Sequence, residues 1–193
     1  ASPEQKEAFG ELFAAMAITE PGAGSDSAAI KTTATLDGDE WVLNGEKIFV
    51  TDGYRSKQVV LWATLDKSLG KAAIKSFLVP KGTPGMTVVR TEKKMGLRIS
   101  DTAQIVFDNC RIPKDSLMGE LNQGFKVAVS ELAGGRIGIG SLALGLCLAA
   151  MDFARNYITE RQQFGQAIAD FQGIQWMMAD AYTDLEASRL LLM

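Results

Sequence analysis

The chain contains no histidine. That removes imidazole as a general base, the Ser-His-Asp triad and the commonest zinc ligand together. Any chemistry must come from carboxylates, hydroxyls, backbone groups or a bound cofactor, and no metal site is expected. Cysteine is scarce as well. Cys110 and Cys147 sit in apolar settings and form no CxxC pair, so a disulfide framework is not expected and a reducing compartment fits best. Positive charge is not in excess: the net charge is −3 and the longest basic run is Lys93 with Lys94. That offers no electrostatic footprint for nucleic acid or an anionic membrane. Long apolar runs are also few. The best candidate, residues 137–151, is rich in Gly and Ala and reads as too short to span a bilayer. The N-terminus carries no signal-peptide pattern.

What is present supports a well-buried core: 193 residues, 47% hydrophobic and 22% charged, enough for one large or two small domains. Residues 3–15 read as a short helix, with Ser2 as N-cap, Pro3 in the first turn, and Phe9, Leu12 and Phe13 as its apolar stripe. Residues 30–113 then change to strands and turns. Strands are expected at 31–36, 40–43, 46–51, 58–64, 74–79, 86–90 and 102–107, with a short one near Arg111. Asn44-Gly45 reads as a hairpin turn, and Asp108-Asn109 as a second separating turn. Strands at this spacing imply a closed or sandwiched β domain. From Gly119 the period becomes helical: 125–157 is one long Gly/Ala-rich helix, expected to be buried on several sides. A polar connection at 160–165 follows. A last helix from about Phe171 carries Phe171, Ile174, Met178, Ala181, Leu185 and Leu192 on one face. It stops in mid-pattern without a cap, from which the chain is expected to be part of a longer protein.

Two stretches stand out chemically. Residues 18–26 (ITEPGAGSD) combine a Pro-Gly turn, a second glycine, two hydroxyls and two carboxylates beyond the proline and glycines. Successive backbone N–H groups in such a turn form a concave anion site without lysine. In residues 47–53 (KIFVTDG), strand alternation sends Ile48 and Val50 to one face, Phe49 and Thr51 to the other. An aromatic ring and a hydroxyl on one face suit a flat heteroaromatic ligand. The same pattern also suits a half-buried strand with Phe49 in a second core.

Taken in order, ITEPGAGSD, NGEKIFVTDG, KMGLRISDTAQIVFDNCRIP, GELNQGF, AGGRIGIG, ERQQFG and FQGIQWMMAD resemble the acyl-CoA dehydrogenase family from about Met16 to Met193. The resemblance implies an α+β chain: an antiparallel β-barrel or sandwich middle domain, followed by long antiparallel helices of an incomplete four-helix bundle. Residues 1–15 would end a missing N-terminal helical domain, 16–118 form the middle domain, and 119–193 supply the first two bundle helices. It implies FAD as cofactor and an acyl-CoA thioester as substrate. Met16, Ile18, Thr19, Gly24 and Ser25 look like the first flavin-binding segment, with Ser25 nearer the pyrophosphate or the CoA arm. Phe49, Val50 and Thr51 resemble the second segment, with phenylalanine where the family often has tryptophan. Arg161 and Gln172 match positions that bind the FAD of a neighbouring subunit, and Phe164 would pack by its adenosine part. Arg136 resembles a residue at the substrate end of the long helix, or equally a buried structural pair.

The family's reaction uses a glutamate to remove the α-proton while a hydride leaves the β-carbon for flavin. In most members that glutamate would lie beyond Met193; a minority place it where this chain has Gly135. Glu131, read as more than one turn away and elsewhere on the helix, is not assigned, so no catalytic residue is named. The resemblance further implies a homo-oligomer built as a dimer of dimers, with FAD contacts across subunits. Electrons would pass to an electron-transfer flavoprotein, in the cytoplasm or, in a eukaryote, the mitochondrial matrix. An acyl-CoA oxidase, a flavin monooxygenase or a non-catalytic flavin-binding relative are the alternatives. The 193 residues alone are expected to be inactive and poorly soluble.

Overall fold

The computed structural model describes residues 3, 5, 7, 13–119 and 124–193. Most of the expected N-terminal helix, including Phe9 and Leu12, lies outside the described residues. The chain divides into two compact units, Ala1–Val129 and Ser130–Met193.

The first unit is built on eight strands: β1 (Ala14–Ala17), β2 (Thr33–Asp37), β3 (Glu40–Thr51), β4 (Gln58–Thr64), β5 (Ile74–Pro80), β6 (Met86–Thr91), β7 (Thr102–Pro113) and β8 (Leu117–Met118). They pair in the order β6-β7-β3-β2-β4-β5-β8, with β1 added on β4. Two departures from the expected architecture are clear. Ala14 and Ala15 do not end a helix; they belong to β1, which runs parallel to β4 from Gln58 to Leu61. The sheet is therefore mixed rather than wholly antiparallel. Nor does it close into a barrel, since β6 and β8 end the pairing path. It folds over its own inner face instead, sandwich-like. Trp41 on β3 meets Phe77 on β5 edge-to-face at 5.2 Å although β2 and β4 lie between them in the pairing order.

Inside that fold Leu43, Leu61, Phe77, Val79, Ile105 and Phe107 are almost wholly buried. A second cluster, on the other side of β4 and β5, joins Trp62 and Ile74 to Ala23, Ile30 and Ala128. Strands covered on both faces read as near-continuous apolar runs, and β4 and β5 do. The first helix, α1 (Gly124–Glu160), starts against this second cluster: Trp62 Nε1 donates to the Gly124 carbonyl at 3.1 Å. A Cβ on Gly124 would sit 2.5 Å from the Ile74 carbonyl oxygen, so only glycine permits this approach.

Asn44-Gly45 is not a hairpin turn. The hairpin falls earlier, at Gly38-Asp39, where Asp37 pairs with Glu40 and Gly38 takes φ +63°. Asn44 and Gly45 continue β3, and Asp108-Asn109 likewise continues β7. The register passes from Leu43–Cys110 to Gly45–Phe107, so Asn44 faces both Asp108 and Asn109 in a β-bulge. Asn44 Oδ1 accepts the Asn109 N–H at 2.8 Å, and Asn109 takes φ +48°. The Asn-Gly pair satisfies a bulge rather than a reversal because both flanking strands find longer partners.

In the second unit α1 runs without interruption through its glycines and is followed by a two-stranded hairpin, β9 (Gln162–Gln163) and β10 (Gln166–Ala167), then α2 (Gln172–Leu192). Phe164 and Gly165 form the two-residue turn at φ +53° and +81°, the primed geometry that hairpins favour. The helices lie side by side and antiparallel: Leu192 is beside Gly140, and Met178 and Tyr182 share a cleft with Arg155 and Ile158. On α2 Phe171, Ile174, Met178, Leu185 and Leu192 are the more covered positions, as the spacing predicts, whereas Ala181 is exposed. Beyond Ser130, α1 is not buried on several sides. Ile137, Ile139, Leu142, Leu146 and Phe153 are exposed, because α2 is its single helical neighbour among the described residues. By length and composition α1 is also apolar enough to cross a membrane, so the reading of its apolar run as too short does not hold for the continuous helix.

Candidate functional site

The residues 18–26 segment forms a compact turn fixed at both ends. Glu20 and Ala23 exchange N–H···O=C bonds at 3.0 and 3.1 Å around Pro21-Gly22. Ala23 is buried in the second core cluster, which anchors the turn, while Gly22, Gly24 and Ser25 stay exposed. Nothing approaches within 4 Å of a Cβ placed on Gly22 or Gly24. Met16 and Ile18 pack partly against that same cluster.

The second segment is a bulge, not a regular strand. Pairing with β7 passes from Lys47–Ile105 to Val50–Ala103, so Ile48 and Phe49 together oppose Gln104. Phe49 adopts φ +56°, an uncommon conformation for a bulky side chain. Alternation therefore fails at this point: Lys47 and Val50 are both buried, whereas Phe49 and Thr51 both emerge. The second-core reading of Phe49 does not hold, because its side of the strand is open and the residue is 59% exposed.

The two segments are joined directly. The Thr19 carbonyl accepts the Ile48 N–H at 2.9 Å, which sets the 18–23 turn beside the Phe49 bulge. Beneath the junction lies a buried ion pair. Lys47 Nζ donates to Glu20 Oε1 and to the Ile18 carbonyl, each at 2.8 Å, with Lys47 wholly and Glu20 almost wholly buried. Glu20 also accepts the Lys31 N–H at 2.6 Å and the Thr32 N–H at 3.0 Å. Sequence reading missed both residues, since a lone Glu and a lone Lys read as solvated and simple alternation sets Lys47 on the face of Phe49 and Thr51; the bulge is what leaves Lys47 buried with Val50.

Burial pushes the Lys47 ammonium down to about 8 despite the opposing pull of Glu20. For Glu20 burial acts upward, but the Lys47 charge and hydrogen bonds from Lys47, Thr32 and Lys31 outweigh it and leave the carboxyl below its usual 4.5. The partners differ because Glu20 collects several donors while Lys47 meets one countercharge. A folded pKa below the unfolded one means Glu20 contributes stability in full above pH 4.5 and loses it as pH falls through the folded value. Lys47 works the other way: its charge costs stability below about pH 8, a cost relieved as pH rises toward 10.5. The expected outcome is that Glu20→Gln flattens the acid limb of unfolding below pH 4.5, as urea midpoints measured against pH will report.

The remaining positions belong to the second unit. Arg161 is exposed at the end of α1; its N–H donates to the Tyr157 carbonyl and its own carbonyl accepts the Ile168 N–H, both at 2.9 Å. Its side chain makes no ion pair among the described residues. Phe164 is 94% exposed and meets Phe171 edge-to-face at 6.1 Å. Gln172 is exposed as the first residue of α2. Arg136 is exposed on α1 and unpaired among the described residues, so the buried-pair alternative is not met. Glu131 and Gly135 lie four residues apart on the continuous α1, hence one turn apart on a shared stripe; the reading that placed Glu131 elsewhere on the helix is corrected. It remains an exposed carboxylate. Cys110 is buried, its thiol pushed up to about 11 by burial, which makes it unreactive.

The first unit thus presents an exposed aromatic ring on a fixed backbone beside an open glycine turn. The hydroxyls of Thr19, Ser25 and Thr51 take no partner among the described residues. Unspent hydroxyls around a flat apolar face match a heteroaromatic ring with polar edges, and so fit a flavin.

The sequence profile of the acyl-CoA dehydrogenase middle domain matches residues 15–110, and that of the acyl-CoA dehydrogenase C-terminal domain matches residues 122–193. The human mitochondrial short-chain specific acyl-CoA dehydrogenase is 45% identical over 98% of this chain and 48% of its own length. Butyryl-CoA dehydrogenase from Megasphaera elsdenii superposes with a TM-score of 0.94 at 39% identity, covering 99% of this chain and 52% of that one. A chain in the solved structure of the electron transferring flavoprotein of Acidaminococcus fermentans gives a TM-score of 0.94 at 43% identity, covering 99% and 52%. The chain spans about half the length of these relatives. The match to the C-terminal domain makes the apolar α1 a helix of that domain. The chain belongs to the acyl-CoA dehydrogenase family, a family of flavoprotein oxidoreductases.

Proposed function

We propose that the full-length protein binds FAD and removes two hydrogens from a short-chain acyl-CoA to give the trans-2-enoyl-CoA. The observation that carries this reading is the junction of the two segments: the Thr19 carbonyl on the Ile48 N–H holds the 18–25 turn against the Phe49–Thr51 bulge. Main chain at Met16 and Ile18 and the Thr19 hydroxyl would meet one edge of the flavin ring. Phe49 would lie against its plane, with Val50 fixed in the core behind it and the Thr51 hydroxyl on the other edge. Gly24 leaves room for close approach, and Ser25 reaches toward the pyrophosphate or the CoA arm. Arg161, Phe164 and Gln172 would serve the FAD of a neighbouring subunit, Arg161 through a charge-assisted hydrogen bond. Arg136 would stand at the substrate end of α1.

FAD, when bound, supplies the hydride-accepting chemistry. This chain's residues would orient the ring and cover part of it; the base glutamate would lie beyond Met193, as in most members of the family. The short-chain preference rests on the relatives matched, as does an electron-transfer flavoprotein for the acceptor. The proposal includes a dimer of dimers and a cytoplasmic or mitochondrial-matrix location, which the family resemblance implies. Anaerobic mixing of the full-length protein with butyryl-CoA is expected to bleach the flavin and release an enoyl-CoA identified by mass. An unbleached flavin with butyryl-CoA and its longer homologues would contradict the dehydrogenase reading. Rapid reoxidation of the reduced flavin by oxygen would favour an oxidase.

A further inference from the structure

We propose that the buried Lys47–Glu20 pair is a positioning device that aims the Ile18–Thr19 peptide at the cofactor, an inference that rests on the flavin reading above. Lys47 is wholly buried and cannot itself touch a ligand; it acts through what its ammonium holds. One donor goes to Glu20 and another to the Ile18 carbonyl, each at 2.8 Å. That peptide is trans, so its carbonyl and N–H point in opposite directions. With the Ile18 carbonyl drawn down onto Lys47, the Thr19 N–H is turned away from the ion pair. It has no partner among the described residues.

The backbone groups that follow it are spent through Glu20. The Thr19 carbonyl accepts from Ile48, and Glu20 exchanges both backbone groups with Ala23. Glu20 completes the clamp, because its carboxylate also fixes the Lys31 and Thr32 N–H groups and so holds the ammonium at one point. The arrangement leaves the Thr19 N–H free, beside the free Thr19 hydroxyl, next to the carbonyl that joins the turn to the Phe49 bulge. An acceptor on a heteroaromatic ring edge fits that pair of donors. The charge on Lys47 adds no net stability, since burial outweighs Glu20 and lowers its pKa to about 8. What the pair provides is the direction of a peptide.

The test uses the full-length protein, stripped of flavin and titrated with FAD. A Glu20→Gln/Lys47→Met double variant removes both charges and the donor to Ile18 without leaving a buried ion alone. Its FAD dissociation constant is expected to rise about tenfold or more, the effect of misdirecting a hydrogen-bond donor. The absorption band of the bound flavin is expected to shift as well. A Glu20→Gln/Lys47→Gln variant, which keeps a neutral donor within reach of the Ile18 carbonyl, should recover much of the affinity and restore the band. If the two double variants bind FAD alike, the positioning role is overturned, whether both match wild type or both fall equally. If the methionine variant does not fold, single Glu20→Gln carries the comparison: the ammonium loses the carboxylate that anchors it, FAD is expected to bind several-fold more weakly with a shifted band, and unchanged affinity and band would overturn the inference. A wild-type protein with no FAD affinity would overturn the flavin reading itself, an outcome distinct from either.

Discussion

Lys47→Met, as a single substitution, is expected to lower stability by roughly 3–5 kcal/mol, far more than its one ion pair would suggest. The cost lies in what remains. Glu20 would stay buried without its countercharge, holding only the Lys31 and Thr32 N–H groups. The Ile18 carbonyl would lose its donor too. Adding Glu20→Gln should return most of the loss, because the lone buried charge disappears. Urea unfolding of wild type and the two variants at pH 7 measures this. A double variant less stable than Lys47→Met would contradict the attribution to an orphaned carboxylate.

Gly45→Ala is expected to be comparably damaging, by about 3 kcal/mol or more. Its φ of +151° already disfavours a side chain, and a Cβ there would lie 2.4 Å from Thr32 Oγ1 and 2.7 Å from Thr32 Cα. The obstacle includes backbone, so a rotamer change cannot relieve it. Thr32 is also a donor to Glu20, so the strain would reach the clamp beneath the 18–23 turn. At Gly22 and Gly24 a Cβ meets nothing within 4 Å, and Gly22→Ala should therefore leave the unfolding midpoint nearly unchanged. Thermal unfolding of the two variants side by side gives the contrast.

The difference between these glycines also shows which parts of the molecule could be read from residues alone. Strand positions at 58–64 and 74–79 are legible because those segments are covered on both faces and mostly apolar. The two long helices were legible from their period. Asn44-Gly45 misled because a short-range turn signal cannot reveal that the pairing partner continues through it; Asn109 at φ +48° opposite Asn44 is a tertiary fact. Ala14 and Ala15 misled because small residues at a helix end look the same as an inner strand, and only the pairing with β4 decides. In the site, Phe49 and Thr51 do emerge together, though through a bulge and a left-handed Phe49 rather than simple alternation. The Glu20–Lys47 pair stayed hidden because two opposite charges 27 positions apart carry no local sign of burial.

On the function proposed above, the 18–25 turn and the Phe49–Thr51 bulge form one face of a flavin site. The measurement that tests it most directly is titration of the flavin-stripped full-length protein with FAD, followed by flavin fluorescence and visible absorption. Saturation at one FAD per chain is expected, with quenched fluorescence and a shifted absorption band. Replacing Phe49 by Ala should change that band while the protein stays folded, because the ring is 59% exposed and supports no core. A folded full-length protein that leaves the fluorescence of free FAD unchanged would contradict it.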